Sequence, residues 1–238
     1  MSLFLLNNKT KFNNPVDKFG KDLSFWISPT YSKKTFNGSS ISQIYDLSKN
    51  KKNAVQSTAI YQPAYVSSDY LGLSSLKFDA TNSQKMSISS LGISGIQTLV
   101  SFIKMNGSGA TRTLFAGANW NVSGWQAVIS SNLTIQGCIS GTAWQTVYAF
   151  SSYLNNYAHL VIVVDNIALK VKVYVNGVKI GTDYTMPYSY TERVGECKIG
   201  DFWGGTTTGN IYNMYLVNRE MTSTEVLQDY YNWTRYKA

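Results

Sequence analysis

A chain of 238 residues with 44% hydrophobic and 14% aromatic content can bury a sizeable core, and an all-β sandwich of this length folds as one domain. Charged residues are only 14%, with Ser, Thr, Asn, Gln and Gly filling the gap, which excludes a disordered tail and suits an extracellular or virion β-protein. The net charge of +8 comes from scattered lysines, with no basic helical stripe and no nucleic-acid module spelled out, so nucleic acid is not an expected partner.

Residues 1–21 read as a polar N-terminal arm with an apolar knot at Leu3, Phe4, Leu5 and Leu6, suited to docking on sister subunits or other virion subunits, or to packing back on the domain. The start lacks a basic n-region and its apolar run is short for a signal peptide, and no stretch approaches the length of a membrane span. The Asn-X-Ser/Thr triplets, such as Asn37-Gly38-Ser39, are therefore read as chance occurrences.

The domain, 22–238, opens with a short strand at Leu23 to Ile27. Further strands are expected at Leu76 to Asp79, Lys85 to Ile88, Thr98 to Met105, Thr111 to Ala116, Trp125 to Ser130, Leu133 to Ile139 and Ala143 to Phe150, at the even spacing of a sandwich or jelly roll. Leu160 to Val164 is apolar at every position, the pattern of a strand covered on both sides. Val171, Val173 and Val175 then alternate with Lys170, Lys172 and Tyr174, and Asn176-Gly177 supplies the two positive-φ residues of a type I′ turn. That loop sets Val175 opposite Val178 and Val173 opposite Ile180 on one buried face, with Tyr174 and Lys179 on the outward one.

Strands follow at Cys197 to Gly200 and Asn210 to Val217. A closing helix starts at the capping box Thr222-Ser223-Thr224-Glu225, with Val226, Leu227, Tyr230, Tyr231 and Trp233 along one side. Cys138 and Cys197 fit no zinc or redox spacing; they read as buried thiols, and a disulfide between them cannot be inferred from sequence.

The order of these landmarks carries a resemblance. Leu23 to Ile27, Ile44 to Asn50, Gln62-Pro63 and Lys77-Phe78-Asp79 come first, then the strand from His159, Val173 to Gly177, and Lys198-Ile199-Gly200. Gly209-Asn210-Ile211 and Asn218 to Thr222 leading to Glu225 close the series. Over about residues 23 to 233 the chain resembles the LamG-like, concanavalin A-like jelly-roll superfamily. One departure is Lys49-Asn50, where many relatives have a glycine-containing turn. The resemblance implies two antiparallel sheets face to face and a surface that often binds glycans; the fold also hosts glycosidases and structural modules.

Catalytic relatives place carboxylates along one strand, and two acids flanking a glycosidic bond must be held about 5 to 9.5 Å apart. The nearest approach is Glu192 and Glu196, in a turn-like context, and His159, the single histidine, heads a buried strand, so the sequence argues against an enzyme. Some relatives bind calcium; Asp79, Asn82, Asp46 and Asp201 are the oxygens at hand, short of the six to eight that a hard cation takes, so no cofactor is expected and the bland role of Asp46 and Asp79 is to fix turns.

A sugar site needs aromatic faces beside amides and carboxylates. Three segments have that composition: Asn119-Trp120-Asn121, Thr142 to Gln145 around Trp144, and Asp201-Phe202-Trp203-Gly204-Gly205, while Trp26, Trp125 and Trp233 fall at core-facing positions. The expectation is a non-enzymatic, homo-oligomeric recognition module of a phage virion, fibre or decoration, binding a glycan or host-surface receptor. Display on a bacterial surface or export by a non-Sec route is the alternative location. The rival functions are a structural virion subunit and a glycosidase with atypical acids.

Overall fold

The structure, a computed structural model, describes residues 14–106, 112–117, 123–139, 142–192, 195–202 and 205–234. A short helix, α1 (Pro15–Phe19), and a 3-10 turn (Gly20–Asp22) lead into β1 (Leu23–Ile27), β2 (Lys34–Asn37), β3 (Ser40–Ile44), β4 (Ala54–Val55), β5 (Ala64–Tyr70) and β6 (Leu73–Phe78). Next come β7 (Met86–Ile88), β8 (Ile96–Met105), β9 (Arg112–Ala116), β10 (Trp125–Ile129), β11 (Asn132–Ile139) and β12 (Thr142–Ala149). The chain continues through β13 (Tyr157–Asp165), β14 (Lys170–Val175), β15 (Val178–Thr185), β16 (Cys197–Ile199), β17 (Asp201–Phe202), β18 (Gly205–Thr206), β19 (Gly209–Val217) and α2 (Ser223–Thr234).

Two antiparallel sheets face each other. In the first, β15, β14, β13, β8 and β19 are successive neighbours; beyond β19 its start pairs with β6 and its end with β1, and β6 pairs with β5. The second runs β12, β11, β10, β9, β16, β7, β4, β3, β2. One bridge, Ser40 to Ala64, links β3 to β5 and joins the sheets along that side. The inner faces form one core, from Phe25, Ile103 and Ile162 on the first sheet to Trp125, Ile135 and Ile199 on the second.

The central strand β13 shows why its run is apolar at every position. Leu160, Ile162 and Val164 enter the core between the sheets, while Val161 and Val163 point the other way into a second layer under Phe19, Met221 and Val226. All five are 0% exposed. The hairpin has the expected register, Val175 to Val178, Tyr174 to Lys179 and Val173 to Ile180, with Asn176 at φ 52 and Gly177 at φ 80. Its outer strand departs from expectation. Val178 is 64% exposed, because β15 is a sheet edge, and Tyr174 is buried in the second layer instead of facing solvent.

The capping box also forms: Glu225 N donates to Thr222 Oγ1 at 3.2 Å and Thr222 N to Glu225 Oε2 at 2.9 Å. The covered face of α2 carries Val226, Asp229 and Trp233, whereas Leu227 and Tyr231 are 38% and 42% exposed. Leu227 and Tyr230 instead lean on the hairpin turn, so close that a Cβ on Gly177 would lie 2.8 Å from Leu227 Cδ1.

Part of the expected arm belongs to the domain. Asn14 caps α1 by accepting from Asp17 N at 2.9 Å, Pro15 opens it, and Phe19 is buried against Tyr215. Lys18 Nζ donates to the Glu225 carbonyl at 3.1 Å, tying the two helices together. Leu3, Phe4, Leu5 and Leu6 lie outside the described residues. Cys138 and Cys197 are both buried and no disulfide joins them.

Candidate functional site

The structure treats the sequence-derived site residues differently. Trp144 is only 3% exposed and faces the core. Its ring lies over Gly137, where an added Cβ would sit 2.3 Å from the indole, and beside Tyr184 at 5.8 Å. An indole covered on that scale cannot stack on a sugar, so the expectation for Trp144 is corrected; its cause is the strict inward alternation of β12. Trp120, Asn119, Asn121 and Trp203 lie outside the described residues. Asp201 and Phe202 form β17, paired with Thr206 and Gly205 of β18 in a two-stranded ribbon next to β9, where Gly200 N donates to the Thr113 carbonyl at 3.2 Å.

The metal candidates fix turns. Asp46 is 3% exposed, and its two oxygens accept from Trp26 N, Ser48 N, Ser48 Oγ and Lys52 N, at 2.7 to 2.9 Å. Those four donors saturate the carboxylate. Asp79 Oδ1 accepts from both Thr81 N and Thr81 Oγ1 at 2.9 Å, bonds that hold its carboxyl below the usual range, while Asn82 N bonds back to the Asp79 carbonyl. Among the described residues, no group of three or more His, Cys, Asp or Glu could hold a metal ion.

His159 is 0% exposed and its Nε2 bonds Asp229 Oδ2 of α2 at 2.8 Å, so it clasps the helix to the sheet and cannot reach a substrate. Glu192 is exposed, and Glu196 is exposed and ion-paired with Lys198 at 3.8 Å.

What the sequence did not reveal is a row of side chains across the outer face of the second sheet. Val55, Ser87, Lys198, Ala116, Gln126, Gln136 and Gln145 are successive cross-strand partners from β4 to β12. Cross-strand partners share a face, so this row is one continuous stripe. Its last three members form an amide ladder: Gln126 Nε2 donates to Gln136 Oε1, and Gln136 Nε2 donates to Gln145 Oε1 at 3.1 Å. Gln126 is buried and Gln145 exposed, so the ladder ends at the surface on an amide donor. At the other end, Lys51, Asn53, Ser87 and Ser89 line an open hollow of about 540 Å³.

One residue beyond Gln145 in sequence a seam begins. There β12 and β15, the free edges of the two sheets among the described residues, approach each other, and Thr146, Val147, Tyr148, Ile180, Thr182 and Tyr184 line a groove of about 340 Å³. Gly181, at φ +64, lets the Tyr148 ring come within 3.1 Å of where a Cβ would stand. Tyr148 is held by burial above the usual phenol range and donates to the Val171 carbonyl at 3.2 Å, which keeps it a neutral donor. On the rim, Asp183 pairs with Lys179, whose hydrogen bond holds that carboxyl below its ordinary value. The groove therefore offers aromatic, hydroxyl and paired-charge groups.

This architecture, two antiparallel sheets with a jelly-roll core, defines a lectin-type sandwich. The chain belongs to the concanavalin A-like lectin/glucanases superfamily, whose profile matches residues 78–227. No curated protein sequence matches the chain.

Among solved structures, the binding domain of Paraclostridial Mosquitocidal Protein 1 is similar at TM-score 0.69 and 15% identity, over 89% of this chain and 52% of that one. The botulinum neurotoxin serotype G binding domain is similar at TM-score 0.67 and 12% identity, over 90% and 51%. The botulinum neurotoxin serotype D ligand-binding domain, solved with N-acetylneuraminic acid, is similar at TM-score 0.64 and 14% identity, over 90% and 51%. The chain thus spans about half the length of these structures, and at such identities the likeness is one of fold.

Proposed function

We propose that this chain is a non-enzymatic recognition module that binds a glycan or a glycosylated surface receptor. The observation that carries the reading is the amide ladder from Gln126 to Gln145, which ends one residue in sequence before the Thr146–Tyr184 groove. Amides and hydroxyls placed beside aromatic rings read sugar hydroxyls without needing a titrating group. Membership of a lectin-type superfamily and the fold shared with binding domains support it. The Asp201–Gly205 ribbon, with Trp203 between its strands in sequence, is the second part of the proposed face.

A glycan array with the purified chain tests the reading. Binding by the intact protein that is lost in Gln145→Ala and Tyr184→Ala supports it, and an intact protein that binds no glycan removes it. Trp203→Ala reports separately on the ribbon. The proposal takes a phage particle as the carrier, with residues 1–13 as the link to it; particles assembled with a chain lacking 1–13 should lose the module.

One feature favours a second reading, a structural subunit. The strands β12 and β15 are eight-residue edges with no further strand beside them among the described residues, and such edges pair readily with another chain. A solution mass above that of one chain that falls on Val147→Lys, with no ligand found, would favour this reading.

A further inference from the structure

The strand β5 breaks register with β6 between Val66 and Tyr70. Across the break the backbone enters the left-handed region at Ser68 (φ 48), and again after it at Leu71 (φ 53). Positive φ at non-glycine residues is uncommon and costly, and where bulges do this they re-aim a side chain. Here the re-aimed side chain is Asp69.

Three donors converge on one oxygen of that carboxylate. Ser75 Oγ at 2.9 Å, Asn210 Nδ2 at 2.6 Å and Tyr212 Oη at 2.8 Å all reach Asp69 Oδ2. Asn210 Nδ2 also donates to Ser75 Oγ at 3.0 Å. Two acceptors on that side fix the amide's orientation, so Asn210 Oδ1 turns away from them. Asp69 is exposed, and among the described residues neither its Oδ1 nor Asn210 Oδ1 has a hydrogen-bond partner. Two immobilised acceptors therefore stand together at the surface.

Their surroundings select among ligands. Asn210 is the cross-strand partner of Lys77 on one side and of Lys104 on the other, about 4.8 Å away on each adjacent strand. Two ammonium groups disfavour a metal ion or an amine at these acceptors, and the Asp69 charge disfavours a simple anion. Lys104 in turn pairs with Tyr157, and its Nζ lies 4.8 Å from the Tyr157 ring centre. Tyr157 stacks on Tyr70 at 3.3 Å, and both rings are half-buried. Tyr212 below them is fully buried; burial first, then the bond to Asp69, hold its hydroxyl far above the usual phenol range, so it remains a donor. Acceptors for hydroxyl donors, ammonium donors for hydroxyl acceptors, and aromatic carbon at one side are what a neutral polyol ring requires.

We infer that Asp69 and Asn210, flanked by Lys77, Lys104 and the Tyr70–Tyr157 stack, form a second sugar subsite, for a neutral pyranose bound through adjacent hydroxyls. This inference rests on the reading of the chain as a glycan-recognition module and adds a site to it. The subsite lies on β5, β6 and β19, at the opposite edge of the first sheet from the β15 seam, so the two can be occupied independently.

The test is saturation-transfer NMR with the methyl glycosides of glucose, galactose and N-acetylglucosamine on the intact chain. Asp69→Asn is the informative change: its amide oxygen can keep the three inward donors while its NH₂ replaces the outward acceptor. We expect transfer to at least one glycoside to fall at least tenfold in Asp69→Asn with an unchanged thermal midpoint, and to persist in Tyr184→Ala. Lys104→Ala should weaken it severalfold, and raising NaCl from 50 to 500 mM should leave it unchanged. Transfer that survives Asp69→Asn but vanishes in Tyr184→Ala overturns the subsite while leaving the recognition reading intact. Transfer only from sialylated or sulfated glycosides that decays with salt overturns the neutral class. No transfer from any sugar, together with a blank glycan array, removes both.

Discussion

The two sheets have similar inner faces and opposite outer ones. On the first, the outward residues Val161, Val163, Tyr174 and Tyr215 are as buried as the core, because α1 and α2 lie over them. On the second, the outward residues of β12 are exposed in strict alternation, and the row from Val55 to Gln145 faces outward. A covered polar group must find a partner inside the protein. Trp26 Nε1 accordingly donates to Asn213 Oδ1 at 2.8 Å, and His159 meets Asp229. On the second sheet, whose outward row is buried at Ala116 and Gln126 and exposed at Gln145, the amides bond one another and the ladder ends at the surface in a donor. The part of the first sheet covered by α1 and α2 should therefore govern stability, whereas the exposed ends of the glutamine ladder and of the Asp69 cluster should tolerate substitution at little cost to it.

The largest break in that contrast should come from Trp233→Ala. This residue is 1% exposed and closes an aromatic cluster over Phe102 and Tyr212; truncation should cost about 3–5 kcal/mol, read as a lowered denaturant midpoint. Asp229→Ala strands a buried imidazole and should cost about 3 kcal/mol, with His159→Ala in the same chain recovering part of the loss in a double-mutant cycle.

Gly137→Ala is the strongest test on the second sheet. The new methyl would strike the Trp144 ring, costing about 1–3 kcal/mol and shifting tryptophan fluorescence to the red. A change with no fluorescence shift would show that Trp144 is not seated on Gly137.

A smaller effect depends on pH. Arg219 grips Glu225 with two bonds, at 3.0 and 2.6 Å, and that grip holds the carboxyl down at about 2. A depressed folded-state value means that the unfolded chain binds the proton first. The pair's stabilisation is therefore complete above the ordinary carboxyl range and is lost as pH falls from about 4.5 towards 2. With a quarter of the side chain exposed, the contribution is on the order of 2 kcal/mol at neutral pH, and Glu225→Gln should flatten the acid limb of the stability profile. Smallest in stability is Gln145→Ala, within about 0.5 kcal/mol, with glycan binding lost.

Much of the frame could be read from local patterns. Period-2 alternation and Asn176-Gly177 specify a register without reference to the rest of the chain, and Thr222 and Glu225 satisfy each other within one helical turn. The apolar run at Leu160 to Val164 announced cover on both faces. The pattern did not say what the cover was. Nothing in the composition of residues 14–22 marked them as a lid, since Phe19 is one aromatic in a polar stretch. Trp144 has polar neighbours in Thr142 and Gln145, and although it falls within the strand expected at Ala143 to Phe150, which of that strand's two faces turns inward is decided by sheet packing. Sequence reasoning missed Asp69 altogether, because its partners Ser75, Asn210 and Tyr212 are 6, 141 and 143 residues away. The bulge at Ser68 was the one local cue, and its residues Ser67-Ser68-Asp69 look like any turn.

By itself, then, the sequence determined most strands from Leu76 onward, the tight hairpin, the closing helix and the superfamily, since each rests on spacings of a few residues or on their order along the chain, whereas β2, β4 and β5 were not legible in it. Only the tertiary structure decided which faces are covered and which polar atoms meet. His159 with Asp229, the glutamine ladder, the seam and the Asp69 cluster are contacts between distant segments. Their geometry is set when the sheets pack, and no local propensity encodes it.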